Sequence, residues 1–199
     1  MKSMYLIISF AFTFLSACGK EEVTVANEEV VLTNEEKSDL LFLREEEKLA
    51  KDVYTYSFNK YGQNIFANIS SSEQSHMNSV LTLLKKYNLS DPIANSEAGK
   101  FSNVELQELY NQLTAMSDGS ITKAFEVGAT IEDLDIRDIQ NFKNHTSKSD
   151  LLTVYDNLSC GSRNHLRSFV GQLGAYTPVY ISQVEYDIII NSTHEQCGK

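Results

Sequence analysis

The sequence has no tryptophan, only two prolines and only nine glycines in 199 residues, so residues that break helices or force turns are scarce. That scarcity speaks against a turn-rich chain and fits a helical protein with few connections. Basic residues are short too: 17 Lys and Arg stand against 27 Asp and Glu, a formal charge of −10. A surface of that sign repels phosphate, which excludes nucleic acid as a partner. Cysteine occurs only at positions 18, 160 and 197, so there is no cysteine cluster to hold iron–sulfur chemistry. Internal repeats and low-complexity segments are lacking as well. The length suits one domain with a substantial core, plus a processed end.

What is there begins with a targeting segment. Lys2 gives a short positive region, and the apolar run from Tyr5 to Leu15 is too short to span a bilayer as a stable anchor. Leu15, Ser16, Ala17 and Cys18 follow, an order that resembles the lipobox of bacterial lipoproteins. The resemblance implies a signal peptide over residues 1–17, with cleavage before Cys18 leaving that residue lipid-modified. Loss of Lys2 takes the formal charge from −10 to −11. Residues 19–22 (GKEE) resemble the acidic surface-export signal of some Gram-negative lipoproteins, and residues 18–33 read as a flexible polar tether. The expected location is the cell envelope, at the outer membrane or cell surface or on the periplasmic face, with the lipid as the membrane contact. Cys160 and Cys197 then form an even pair in a non-cytosolic compartment, which suits a disulfide; a thiolate metal ligand at Cys160 is the alternative.

The domain proper is expected over residues 34–190, with a tail over 191–199. Thr33 and Glu36 form a capping box that opens a first helix running to about residue 60, ended by Gly62. Its inward stripe is Leu40, Leu43, then Glu46 or Glu47, then Ala50, Val53 or Tyr54, and Ser57. A carboxylate therefore interrupts an apolar face; spacing favours Glu47 over Glu46, and Glu45 reads as solvated. The second helix, residues 65–87, carries Ile69, Val80, Leu83 and Tyr87, with Glu73 and His76 filling the gap one turn apart. An irregular crossover, residues 89–102, precedes a short third helix over 104–117 whose stripe of Leu106, Leu109, Tyr110 and Leu113 holds no ionisable group. Ser120 caps a fourth helix with Ile121, Phe125, Gly128, Glu132 and Asp135 on one stripe and Glu126 off it. Asp135 either faces inward or caps a helix restarting at Ile136, and the cap is the favoured reading. A fifth helix from residue 150 to about 174 places Leu151, Tyr155, Leu158, Ser162, His165 and Phe169 in line. Ser182 and Glu185 cap a short tail helix, whose Val184, Ile188 and Ile189 are expected to pack on the bundle.

Four long helices thus each direct an ionisable group inward at mid-length. Buried charges need a compensating partner, and a metal ion is one. The candidate ligands are Glu46 or Glu47, Glu73, His76, Glu132 and His165, with Glu126 and Asp135 ranked lower. Carboxylates with imidazoles suit transition metals, iron first and manganese or zinc as alternatives, as one ion or two. Tyr54 and Tyr155 lie near enough on their stripes to support the ligands, although core packing is the favoured role of each.

Residues 43–54 (LREEEKLAKDVY), 65–69 (IFANI) with 72–77 (SEQSHM), 127–128 (VG) with 131–132 (IE), and 161–166 (GSRNHL) together resemble the DUF2202 family, which is placed in the ferritin-like superfamily. The resemblance covers residues 36 to 190. It implies an all-α, ferritin-like four-helix bundle with an extra short helix in the crossover and a short C-terminal helix, and a metal site as the superfamily norm. One departure stands out: a full di-iron carboxylate site has a second Glu-x-x-His, but the position three before His165 is Ser162. The functional expectation is a lipid-anchored metal-binding protein, and an oxidoreductase acting on iron, dioxygen or peroxide if two ions are held. The alternatives are a single-metal protein and a non-enzymatic envelope module with a hydrogen-bonded polar core. Expected partners are metal ions, the membrane through the lipid alone, and a second copy in a homodimer.

Overall fold

A computed structural model of the chain describes residues 31–94 and 97–198. The apolar run, the lipobox, Cys18 and most of the expected tether lie outside the described residues. All regular structure among the described residues is helical: α1 (Asn34–Tyr61), α2 (Asn64–Lys86), α3 (Val104–Ser117), α4 (Ile121–Asn144), α5 (Ser149–Leu173) and α6 (Gln183–Asn191). Long helices α1 and α2 pack along one another, as do α4 and α5, and the two pairs face each other through α1 against α4 and α2 against α5. Short α3 lies across α1 and α4, and α6 on α5.

Local chemistry sets the ends. Thr33 Oγ1 accepts the Glu36 amide at 3.1 Å while Glu36 accepts the Thr33 amide at 2.8 Å, satisfying two of the four free amides that open α1. Gly62 closes that helix at φ 66°, a left-handed conformation that glycine takes without a Cβ penalty. Asn103 and Ser120 accept the first amides of α3 and α4 in the same way.

Along each long helix an apolar block precedes and follows a short polar one. Leu40 and Leu43 of α1, Val80, Leu83 and Leu84 of α2, Ile139 of α4 and Leu151, Tyr155 and Leu158 of α5 make one buried cluster. Val53 and Tyr54, Phe66 and Ile69, Val127 and Ile131, and Leu166 and Phe169 make the other. Each full burial of such a side chain contributes about 1.5–3 kcal/mol. Between the blocks fall Glu46, Glu47, Glu73, His76, Glu132, Asp135, Ser162 and His165, all on the four long helices. The apolar clusters bring the polar residues together.

The outward side of α1 holds the crossover. Arg44 grips Asp91 with two bonds of 3.1 and 2.9 Å and donates to the Met77 carbonyl at 2.7 Å. Lys48 pairs with Asp52, which accepts the Gly99 amide at 2.9 Å. Glu45, expected in solvent, is buried instead: it accepts the amides of Ser102 and Asn103 at the N-terminus of α3, where a carboxylate also complements the helix dipole.

Two further expectations are corrected. Asp135 caps nothing, because α4 runs unbroken through it and the side chain is buried. On α6 the buried residues are Tyr186 and Ile189, whereas Val184 and Ile188 are exposed. The rotation follows from its anchors: Asp133 accepts the amides of Val179, Tyr180 and Ile181 and the Tyr176 hydroxyl, and Tyr176 packs on Tyr186. Behind α5, Cys160 and Cys197 are joined in a disulfide with Cα atoms 5.7 Å apart, and Glu195 of the same tail pairs with Arg163 and Arg167.

Gly128 of α4 meets α5, where an added Cβ would come within 2.6 Å of the Phe169 ring. Phe169 is fully buried against Tyr54 and Phe66 and has no room to retreat. Gly128→Ala should therefore cost about 1–3 kcal/mol through overpacking, more than the roughly 1 kcal/mol that alanine gains in a helix. A lower thermal midpoint is the expected result; an unchanged or higher one would show that the helices can part there.

Candidate metal centre

Glu73 is the hub. Its Oε2 lies 2.7 Å from His76 Nδ1 and its Oε1 lies 2.8 Å from His165 Nδ1. Glu47 of α1 approaches His76 Nδ1 at 3.1 Å, and Glu132 of α4 approaches His165 Nδ1 at 3.4 Å. Two three-residue groups result, Glu47–Glu73–His76 and Glu73–Glu132–His165, in each of which one ligand atom per residue lies within 4.8 Å of the others. The three carboxylates are fully buried, and the imidazoles are only 11% and 12% exposed.

Both rings point Nδ1 inward for a structural reason. His165 Nε2 meets Ser72 Oγ at 3.0 Å, while His76 turns its Nε2 edge to Gly161 of α5, where an added Cβ would come within 2.5 Å of Nε2. Engaging one ring nitrogen orients the other toward the site. Tyr54, also fully buried, donates its hydroxyl to Glu132 Oε1 at 2.6 Å and so holds that carboxylate in place.

The structure thereby distributes the expected ligands. Glu47, Glu73, His76, Glu132 and His165 converge. Glu46 is equally buried but belongs to neither group, since adjacent helical residues point about 100° apart. Asp135 is buried nearby, also outside both. Glu126 is at the surface, paired with Lys123, because it lies off the α4 stripe. Ser162 is buried and donates to the Leu158 carbonyl at 3.2 Å, its own helix, so it offers the centre no carboxylate. Tyr155 sits in the apolar cluster with Leu40 and Leu151, away from the ligands. Ser72 and Gly161 were missed; both stand inside the quoted segments, next to Glu73 and Ser162, but neither is a residue type that spacing singles out.

Residues 36–193 match DUF2202, described as an uncharacterized protein domain. The chain belongs to the DUF2202 family. It is 50% identical over 169 residues to uncharacterized protein MJ0754 of Methanocaldococcus jannaschii, covering 83% of this chain and 91% of that protein. The crystal structure of that hypothetical protein superposes with a TM-score of 0.81, covering 82% of this chain and 96% of the solved one.

Whether this DUF2202 centre fits a metal can be judged from its atoms. Glu47 Oε1, both oxygens of Glu73, Glu132 Oε2 and His165 Nδ1 are buried without a hydrogen bond, although several lie at ion-pair distance from one another. They crowd a shared space rather than align on each other, as ligands around an ion do. Among the described residues no Lys or Arg pairs with Glu46, Glu47, Glu73, Glu132 or Asp135. Five buried acids against two imidazoles leave negative charge that a cation would balance. Each group offers two carboxylates and one imidazole nitrogen, a donor set that suits iron, manganese or zinc.

The electrostatics without an ion show the strain of this arrangement. Burial pushes Glu47 up to about 7, with His76 pulling the other way and Glu73 adding to the rise. Burial favours the neutral His165 ring, yet Glu132 and Glu73 outweigh it and lift the group to about 10. Burial also opposes ionisation of Glu73, but His76 and His165 overcome it and hold that carboxyl well below its usual range. Stability linked to Glu47 is therefore full below its ordinary 4.5 and lost as pH rises through about 7. Stability linked to His165 is full below 6.5 and lost through about 10, while that of Glu73 is lost only on acidification below its ordinary value. The metal-free protein should accordingly melt on the order of 5–10 °C lower at pH 9 than at pH 5, and added manganese or zinc should narrow that difference. A metal-free melting temperature that climbs across this window would contradict the electrostatic account.

Proposed function

We propose that this DUF2202 protein is a lipid-anchored, ferritin-like protein with a two-metal centre, iron first and manganese or zinc as alternatives. The observation that carries the reading is Glu73, whose two oxygens face two different histidines and so belong to two ligand groups at once. Glu73 would bridge, Glu47 with His76 would complete one position, and Glu132 with His165 the other. Two neighbouring irons would supply one electron each to dioxygen or peroxide, which makes an oxidoreductase acting on iron, dioxygen or peroxide the reaction class. Tyr54 keeps Glu132 oriented through its 2.6 Å hydrogen bond, and the apolar clusters at either end of the polar block keep water out. With Ser162 in place of a further carboxylate, the centre would take a remaining ligand from solvent or substrate. Unsatisfied atoms at the centre favour this reading over a hydrogen-bonded polar core, whose members would be paired. The lipobox-like segment supports the envelope part of this reading, with Cys18 as the anchored residue.

Full-length protein purified without chelators and reconstituted with ferrous iron should carry about two ions at the centre, fall below one in Glu73→Ala, and consume dioxygen on exposure to air. Less than about a tenth of an equivalent of any transition metal after reconstitution would overturn the proposal. Bound metal without any reaction toward dioxygen or peroxide would keep the centre and remove the enzyme.

A further inference from the structure

The described residues hold two cysteines, Cys160 and Cys197, and the two-metal reading uses neither. Their disulfide ties the C-terminal tail to α5 across 37 residues of sequence, and its two ends differ. Cys160 is 8% exposed, while Cys197 lies in the open. A thiol arriving from solvent therefore reaches the Cys197 sulfur and not the other.

Non-covalent contacts bracket Cys197 on both sides. Two residues before it, the Glu195 carboxylate accepts from Arg163 and Arg167 at 2.8 Å each, while the Glu195 amide donates to Asn164 Oδ1 at 2.9 Å and its carbonyl accepts from Asn164 Nδ2 at 3.0 Å. One residue after it, the Gly198 amide donates to Asn157 Oδ1 at 3.1 Å. The Arg163 hydrogen bonds first, and Arg167 after them, hold the Glu195 carboxyl down to about 2, so this clamp stays charged at any pH where thiols exchange. A covalent tie backed up in this way can open without the tail leaving, and the two sulfurs remain neighbours for closure.

The surroundings of Cys197 also suit a sulfur that carries charge for part of its time. Asn164 Nδ2 approaches Cys197 Sγ at 3.4 Å, an N–H donor for a thiolate. Two guanidiniums share one carboxylate on the same tail, a local excess of positive charge on a chain of −10. A hollow lined by Asn164, Arg167, Ser168 and His194 shares Asn164 with the sulfur and gives an attacking group a place to enter.

We infer that Cys160–Cys197 is a thiol–disulfide exchange site, entered at Cys197, whose substrate is a dithiol reductant. A thiolate of the reductant attacks Cys197 Sγ, a bond forms between those two sulfurs, and the Cys160 sulfur leaves with the electron pair and takes up a proton. The second thiolate of the reductant then attacks its own partner sulfur in the mixed disulfide and releases Cys197 as a thiolate against the Asn164 amide. The reductant ends as an internal disulfide and the chain as a dithiol, richer by two electrons and two protons once Cys197 is protonated. None of Glu47, Glu73, His76, Glu132 and His165 takes part, so the site stands whether or not the centre holds metal.

The test uses the folded full-length chain with Cys18→Ser, so that no other thiol is counted. It is treated with stoichiometric dithiothreitol, alkylated and analysed by mass spectrometry. Two alkylated cysteines should appear without denaturant, helical content should be kept, and oxidised dithiothreitol should close the bond again. Single-cysteine variants then locate the attack: the Cys197 thiol left by Cys160→Ser should exchange with an aromatic disulfide at least about tenfold faster than the Cys160 thiol left by Cys197→Ser. A bond that opens only in denaturant, a reduced chain that loses its helices, or equal rates at the two cysteines would each overturn the site. Metal content is read separately, so a failure of the two-metal centre leaves these results as they are.

Discussion

Five carboxylates buried at the middle of a helical bundle, with no lysine or arginine among the described residues paired to them, are the constraint that the rest of the structure accommodates. An apolar core in their place would cost nothing in charge burial. The acids persist only because packing above and below them is strong enough to carry an unfavourable layer, and the two hydrophobic clusters supply that packing. Stability is thus concentrated at the ends of the bundle and chemistry at its middle. The division resembles that of enzymes generally, where groups that would prefer water are held out of it by a rigid surround.

The same layer explains why supporting residues are so specific. His76 and His165 can each offer one nitrogen inward only if the other is disposed of, one against Gly161 and one on Ser72. Tyr54 fixes the carboxylate of Glu132 from the hydrophobic side. None of these neighbours supplies charge. They supply direction, and direction turns a collection of acids into two groups with a shared member.

Much of this was legible in the chain and some was not. Caps and stripes are local, so Thr33, Gly62 and Ser120 mark helix ends to within a residue or two, and Glu73, His76, Glu132 and His165 declare themselves by interrupting apolar stripes. What failed were residues whose partners are distant. Glu45 sits in a run of acids that reads as solvated, yet the amides it caps are 57 and 58 residues away. Asp135 looked like a cap because its burial depends on α1, which the sequence of α4 does not contain. Val184 and Ile188 form a plausible stripe, but Asp133 fixes the entry to α6 and turns Tyr186 and Ile189 inward instead. Spacing put Glu47 only slightly ahead of Glu46, because both are buried, on different sides of one helix.

The triplet Glu45, Glu46 and Glu47 gives α1 an unusual intolerance. Three consecutive identical residues have three distinct neighbourhoods: the start of α3, the carboxylate of Asp138, and the ring of His76. Because each step along a helix turns the side chain by about 100°, gaining or losing one residue before this point would hand every acid to the wrong neighbour without altering composition. The outward positions of α1 can therefore accept substitution where the helix cannot accept a change of length, and an added or lost residue is better borne in the connections. The helix works as a ruler whose zero is set at Thr33.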